Sequence, residues 1–249
     1  MSSSLFATGI RAVLFVSLAA CCAVVAHAGS FSVSPVRIFM APRDRATAIT
    51  ITNESDEPMV MQADLYNWKQ KANGEDDLVL TEDMILSPPI IKIGPKSRQV
   101  VRLAMLRPRP PGEQLTYRMI VREIPEAKPR TDNSLQLQIS LAFSMPVFIT
   151  PNGVKRNLSC FTERAASTGT IKAICENTGN AYAQPRKIAL ISLAGDKLAN
   201  ADLGGYILPG NKRSFDLVNS NGKVPAGKAK LVVTQDDNTP QNFDVTVAE

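Results

Sequence analysis

The sequence predicts an all-β protein of two β-sandwich domains, on three observations. Short runs of alternating apolar and polar residues recur along the chain, and period two marks a strand because successive side chains point to opposite faces. Clusters of Gly, Pro, Asn and Asp part these runs at the spacing of a sandwich. Helical periodicity is almost absent from the 249 residues.

Residues 1–28 have the pattern of a signal peptide: Arg11, an apolar run from Val13 to Val25, and small residues around His27 at Ala26 and Ala28. The run is too short to span a bilayer comfortably. Cleavage after Ala28 is expected. The rival site is "LAAC", Leu18 to Cys21, which resembles a bacterial lipobox and would make Cys21 a lipidated N-terminus. The mature chain is long enough for one large or two ordinary domains.

Composition then narrows the function. The chain has 28 Lys and Arg against 23 Asp and Glu. The leader takes away only Arg11 from that balance, so the mature excess is mild. It suits carboxylates or phosphates. No basic run is interleaved with aromatics, so no nucleic-acid partner is expected. The only histidine is His27, inside the leader. Ser-His-Asp, Cys-His and histidine–zinc sites are thereby excluded from the mature chain. Acid count alone leaves carboxylate-only catalysis open, but no acidic residues stand near an aromatic, sugar-stacking cluster. No GxxxxGK phosphate loop is present. No enzyme activity, cofactor, metal or small-molecule substrate is expected.

The first sandwich is predicted over residues 29–150. "FSVSPVRIF" (Phe31 to Phe39) opens it, and "ATAITITN" (Ala46 to Asn53) alternates cleanly before the turn "ESDEP". "MVMQADLYNW" (Met59 to Trp68) precedes a polar loop, "KQKANGEDD", and Trp68 reads as a core or rim aromatic of this domain. "SPP" at Ser87 to Pro89 shapes a turn. "QVVRLAML" and "TYRMIVREI" are the next strands, and Arg122 and Glu123 read either as paired within the domain or as solvated.

The second sandwich is predicted over residues 151–249, from "RNLSCF", "TIKAICEN", "RKIALISL", "GYILPG", "RSFDLV", "AKLVVTQ" and "FDVTVAE". Its two cysteines, Cys160 and Cys175, are an even count in an exported chain and read as a disulfide, the alternative being two free thiols.

One stretch stands apart. In "LQLQISLAFSMPVFI", Leu135 to Ile149, every odd position is apolar, the even positions turn apolar only near the end, and no residue is charged. Strands usually run about five or six residues. A longer apolar ribbon invites pairing with another chain unless it is covered. It reads either as a core strand of an antiparallel sheet or as a strand that another molecule covers.

"SPVRIFM", "TITNESDEPMVMQADLYNW", "LSPPIIKIGPKSRQVVRL", "YRMIVREIPE" and "SMPVFITP" occur in the order found in periplasmic pilus-assembly chaperones, and "ENTGNAYAQ" and "YILPGNKRSF" look like that family's second domain. The resemblance covers nearly the whole mature chain. It implies two immunoglobulin-like β-sandwich domains set at an angle with a cleft between them. It also implies a periplasmic chaperone that binds pilin subunits by donor-strand complementation and delivers them to an outer-membrane usher. Strand addition of this kind takes affinity from backbone hydrogen bonds and specificity from alternate side chains. On this reading the donated row is Leu137, Ile139 and Leu141, extended by Leu135 and Phe143.

The family also grips the subunit's terminal carboxylate with cations, and its first-strand arginine matches Arg37. A guanidinium suits this through two parallel hydrogen bonds. The second anchor, a lysine, falls on Pro146, so either that cation comes from elsewhere, such as Arg102 or Arg118, or anchoring is weaker. "PVF" at Pro146 to Phe148 resembles a divergent branch. An acidic residue usual before "REIP" falls on Gln114, beside Glu113. The alternative function is a pilus or surface structural subunit, which should carry one sandwich and an N-terminal donor extension. Neighbouring usher and pilin genes would separate the two.

Overall fold

The computed structural model describes residues 31–106, 112–125, 140–165, 167, 169–202 and 205–248. The expected leader with Cys21 and His27, and the ribbon residues Leu135, Leu137 and Ile139, lie outside them. Every regular element among the described residues is a strand. The first ten are β1 (Phe31–Ser34), β2 (Ile38–Met40), β3 (Ala46–Asn53), β4 (Met59–Gln70), β5 (Asp76–Leu80), β6 (Met84–Ser87), β7 (Ile90–Ile93), β8 (Arg98–Met105), β9 (Leu115–Glu123) and β10 (Ala142–Ile149).

These ten form two facing sheets. One has the order β1-β3-β8-β6; the other has β2-β10-β9-β4-β5, with β7 also on β4. Alternation decides what lies between them. Ile49 and Ile51 of β3 and Val101 and Leu103 of β8 meet Met61 and Leu65 of β4 and Met119 and Val121 of β9 in one core. "FSVSPVRIF" is not one strand: it splits at Pro35 into β1 and β2, which join different sheets. The polar loop after Trp68 is shorter than expected, because Asp76–Leu80 returns as β5 along β4.

β10 resolves the ribbon's uneven pattern. Met145, Val147 and Ile149 face the domain's own core. The even residues Pro146 and Phe148 point to the opposite face yet are also buried. Leu141 and Phe143, of the same parity as the core residues, are 38% and 40% exposed. The ribbon therefore leaves its own core at Phe143, whose ring meets the edge of Phe31 at 5.0 Å.

The second sandwich has β11 (Leu158–Arg164), β12 (Thr170–Asn177), β13 (Pro185–Ser192), β14 (Lys197–Asp202), β15 (Lys212–Val218), β16 (Gly227–Gln235) and β17 (Pro240–Val247). They follow one path, β11-β12-β15-β14-β13-β16-β17, that wraps until its ends meet, where Thr162 Oγ1 donates to the Thr246 carbonyl at 3.2 Å. Cys160 and Cys175 stand directly opposite on β11 and β12 and are joined as a disulfide. "GYILPG" forms no strand; it contributes a single bridge, Ile207 to Ala183. β14 was hidden in the sequence because "KLANAD" carries little apolar bulk.

A buried asparagine closes a turn in each sandwich. Asn53 Nδ2 donates to the carbonyls of Glu57 and Gly94 at 2.7 and 2.9 Å, and Asn177 Nδ2 donates to those of Ala181 and Ile207, both at 2.8 Å. Each satisfies backbone groups that burial would otherwise leave unpaired. Beside Asn177, a Cβ at Gly179 would strike the Lys155 carbonyl, so the turn in "NTGN" needs glycine.

Candidate functional site

The free edge of β10 and the outer face of the β2-β10-β9-β4-β5 sheet carry the candidate site. β9 pairs with the whole of β10, from Ala142 to Ile149, while β2 takes only Val147–Ile149 on the other side. From Leu141 to Pro146 the outer edge has no strand partner among the described residues. Such an edge presents unpaired backbone groups and is a template for another strand.

At the closed end of the same face, the second sandwich docks on aromatics. Phe148 stacks on Tyr182 at 4.4 Å, and Tyr206 meets the Trp68 ring edge-on at 5.3 Å. Trp68, Phe148, Tyr182 and Leu208 form a buried cluster apart from either core. Trp68 is therefore not a core aromatic of the first domain. It points outward from β4 and is covered by the second sandwich.

Amide clamps flank this cluster. Gln70 donates to the Tyr206 carbonyl and accepts from Leu208 N, both at 2.9 Å. Buried Gln114 accepts from Tyr182 N at 2.9 Å and donates to Thr150 Oγ1 at 3.1 Å, while its own backbone N donates to the Asn180 carbonyl at 2.7 Å. An uncharged amide suits these bonds because it both donates and accepts.

Arg37 lies just before β2. Its Nη1 donates to Asp236 Oδ2 at 2.6 Å and to Gln184 Oε1 at 3.2 Å. The same Asp236 oxygen accepts from the Tyr182 hydroxyl at 3.1 Å, and Arg156 Nη1 stands 3.5 Å from the other oxygen. Arg156 Nη2 donates to the Tyr182 hydroxyl at 3.3 Å. The Asp236 side chain is only 8% exposed. Its hydrogen bond holds the Arg37 pKa above the usual arginine value, against the opposing effect of burial. Burial pushes the Tyr182 and Tyr206 phenols up.

The two other candidate cations are placed differently. Arg118 is directly opposite Pro146 on the β9–β10 ladder, so it projects from the face where the resembled lysine would stand. Its guanidinium lies 3.8 Å from the Trp68 ring centre and 5.5 Å from that of Tyr206, and Nη2 reaches Asp76 at 3.4 Å. Burial lowers its pKa. Arg102 is exposed on β8, in the other sheet, and is not brought to Arg37. Arg122 is paired rather than solvated, 3.2 Å from Asp64.

The family model of the pili and flagellar-assembly chaperones, PapD N-terminal domain, matches residues 30–155. The chain belongs to this family. The probable fimbrial chaperone LpfB of Escherichia coli O157:H7 is 25% identical over 129 residues, 51% of this chain and 53% of that protein. The uncharacterized fimbrial chaperone YbgP of Escherichia coli (strain K12) is 26% identical over 123 residues, 48% of each. The chain spans about half the length of the curated relatives it matches. A chain of the CsuC–CsuE chaperone–tip adhesion subunit pre-assembly complex, from archaic chaperone-usher Csu pili of Acinetobacter baumannii, superposes with a TM-score of 0.63 at 20% identity. That match covers 88% of this chain and 100% of the other. The shared fold is two immunoglobulin-like sandwiches.

Within this pilus-chaperone fold, Asp236, Arg156, Tyr182 and Gln184 were not singled out by sequence reasoning. All four come from the second sandwich or its approach, far along the chain from Arg37. The "QDD" at Gln235 to Asp237 was a visible signal, two acids closing an apolar strand, but it had no partner in the sequence.

Proposed function

We propose that the chain is a periplasmic, non-catalytic chaperone that captures pilus subunits by lending them a strand and passes them to an outer-membrane usher. The observation that carries this reading is the half-open edge of β10, continuous with an exposed apolar row. Leu141 and Phe143 are exposed, and the period-two pattern extends the row to Ile139, Leu137 and Leu135. A subunit lacking one strand would pair with this edge and bury the row in its own core. Each Leu or Ile so buried contributes about 1.5–3 kcal/mol before the costs of association.

Arg37 anchors the subunit's terminal carboxylate, and Arg118 supplies the second positive charge on the same face; Arg102 is too far round the sandwich to join them. Residues 29–150 form the donor domain and 151–249 the domain that covers the aromatic cluster. Residues 1–28 direct export, with cleavage after Ala28.

The test is periplasmic co-expression of the tagged chain with a candidate pilus subunit. A complex should be recovered, and Leu137→Asp with Leu141→Asp should abolish it while the free protein still folds. Recovery undiminished by both substitutions would overturn the reading.

A further inference from the structure

We propose that Asp236 is an internal ligand of the Arg37 site, holding in the free chain the place that a client's terminal carboxylate takes, so that capture exchanges one carboxylate for the other. This rests on the reading of Arg37 as the anchor.

The surroundings of Asp236 form a carboxylate receptor. Arg37 Nη1, the Tyr182 hydroxyl and the Arg156 guanidinium converge on it from separate parts of the chain. A buried carboxylate is tolerated when it is paired and hydrogen-bonded. Asp236 meets that condition from a turn, not from within a strand. β16 ends at Gln235, and Asn238 N closes the turn on the Gln235 carbonyl at 3.0 Å.

The grip on Asp236 is incomplete. The Arg37 hydrogen bonds to Asp236 and to Gln184 both use the single nitrogen Nη1, and Tyr182 adds a lesser interaction. A chain terminus, free to turn, can take two parallel bonds from the same fork. Exchange thus replaces a one-nitrogen contact with a two-nitrogen contact. The displaced Asp236 keeps Arg156, whose Nη1 stands 3.5 Å from Oδ1, and the Tyr182 hydroxyl. Arg156 thereby acquires a positioning role, since it holds the carboxylate that Arg37 releases. Asp237, 3.6 Å from Arg156 and half exposed, balances the second cation at the rim. Arg37 also adjoins β2, the outermost strand of its sheet, where an extended chain end would run.

The probe is an alternating valine–threonine hexapeptide with a free C-terminal carboxylate, compared with its C-terminal amide. Each is titrated against the whole protein by fluorescence anisotropy. Asp236→Asn keeps an oxygen for the Tyr182 hydroxyl and removes the competing charge. It should bind the carboxylate peptide roughly tenfold tighter than the unaltered protein does, with the amide unchanged. Adding Arg37→Gln should erase the gain. Arg156→Gln should weaken carboxylate binding when Asp236 is present and have no such effect in the Asp236→Asn background.

Asp236→Ser, read in the same way alongside melting curves, serves if the asparagine variant folds poorly. No gain by either variant, including no binding at all, overturns the proposal, as does an equal gain for the amide or a gain that survives Arg37→Gln. If the peptide gain appears but subunit capture is indifferent to Arg37, Asp236 remains a competitor for free carboxylates, while the anchor reading falls and with it exchange during capture. If capture needs Arg37 but no peptide gain appears, the exchange falls alone.

Discussion

The Arg118 guanidinium lies 3.8 Å from the centre of the Trp68 ring and stands directly opposite Pro146 on the neighbouring strand. The cation lies over the indole, and Tyr206 meets that ring edge-on where the two sandwiches meet. Such a contact is worth about 0.5–2 kcal/mol, depending on how far it is desolvated, and the aliphatic stem adds packing of its own.

Arg118→Ala should therefore destabilise the fold by about 1–2 kcal/mol. Arg118→Lys should restore less than half of that, because an ammonium cannot stack as a planar guanidinium does. Urea unfolding midpoints measure both. An unchanged midpoint for the alanine variant would make the stack energetically idle.

The same cluster sets an alkaline limit. Burial raises the Tyr182 and Tyr206 pKa values because the phenolate is disfavoured away from water. With the folded values above the unfolded ones, the stability they contribute is complete below the ordinary tyrosine value of about 10. It is lost as pH rises through the folded values. The melting temperature should fall in that range together with the appearance of tyrosinate absorbance. Tyr182→Phe with Tyr206→Phe should flatten the fall. An equally steep fall in the double variant would place its origin elsewhere.

The legible parts of this fold were those where alternation and turn chemistry act locally. "ATAITITN" and "TIKAICEN" became strands as expected, because each buries one face in its own sandwich. Trp68 and Phe148 were harder. They sit on the face that alternation assigns to solvent, and their cover comes from Tyr182 and Tyr206, which the second sandwich contributes. Pro35 hid a change of sheet within one apparent strand. For the candidate site, Arg37 was visible through resemblance, but its Asp236 partner was not. An ion pair across so long a separation leaves no periodic trace.

The Cys160–Cys175 bridge joins directly opposed residues of β11 and β12, 15 positions apart. Closing such a loop is worth about 3 kcal/mol in the chain-entropy model. Reduction, or serine at both positions, should lower stability by about 2–4 kcal/mol. Hydrogen exchange should quicken in β11 and β12, while β3 and β8 keep their protection. Non-reduced peptide mapping should show the two cysteines linked. Equal loss of protection in both sandwiches would show that the bridge is not local to the second.

The apolar ribbon changes its destination between Met145 and Phe143. Met145 is 2% exposed in the domain's own core, whereas Phe143 and Leu141 on the same face are open. Met145→Asp should therefore unfold the first sandwich, since an unpaired charge in an apolar core costs several kcal/mol. Ile139→Asp, which the period-two pattern of the sequence puts in the same row further along the ribbon, should leave the free protein intact and fail only when a subunit must bury it. The most direct measurement is recovery of the co-expressed pilus subunit by Ile139→Asp protein whose melting temperature matches that of the unaltered chain. Lost recovery with unchanged melting is the predicted result. Full recovery, or a melt that collapses as for Met145→Asp, would contradict donation of this strand.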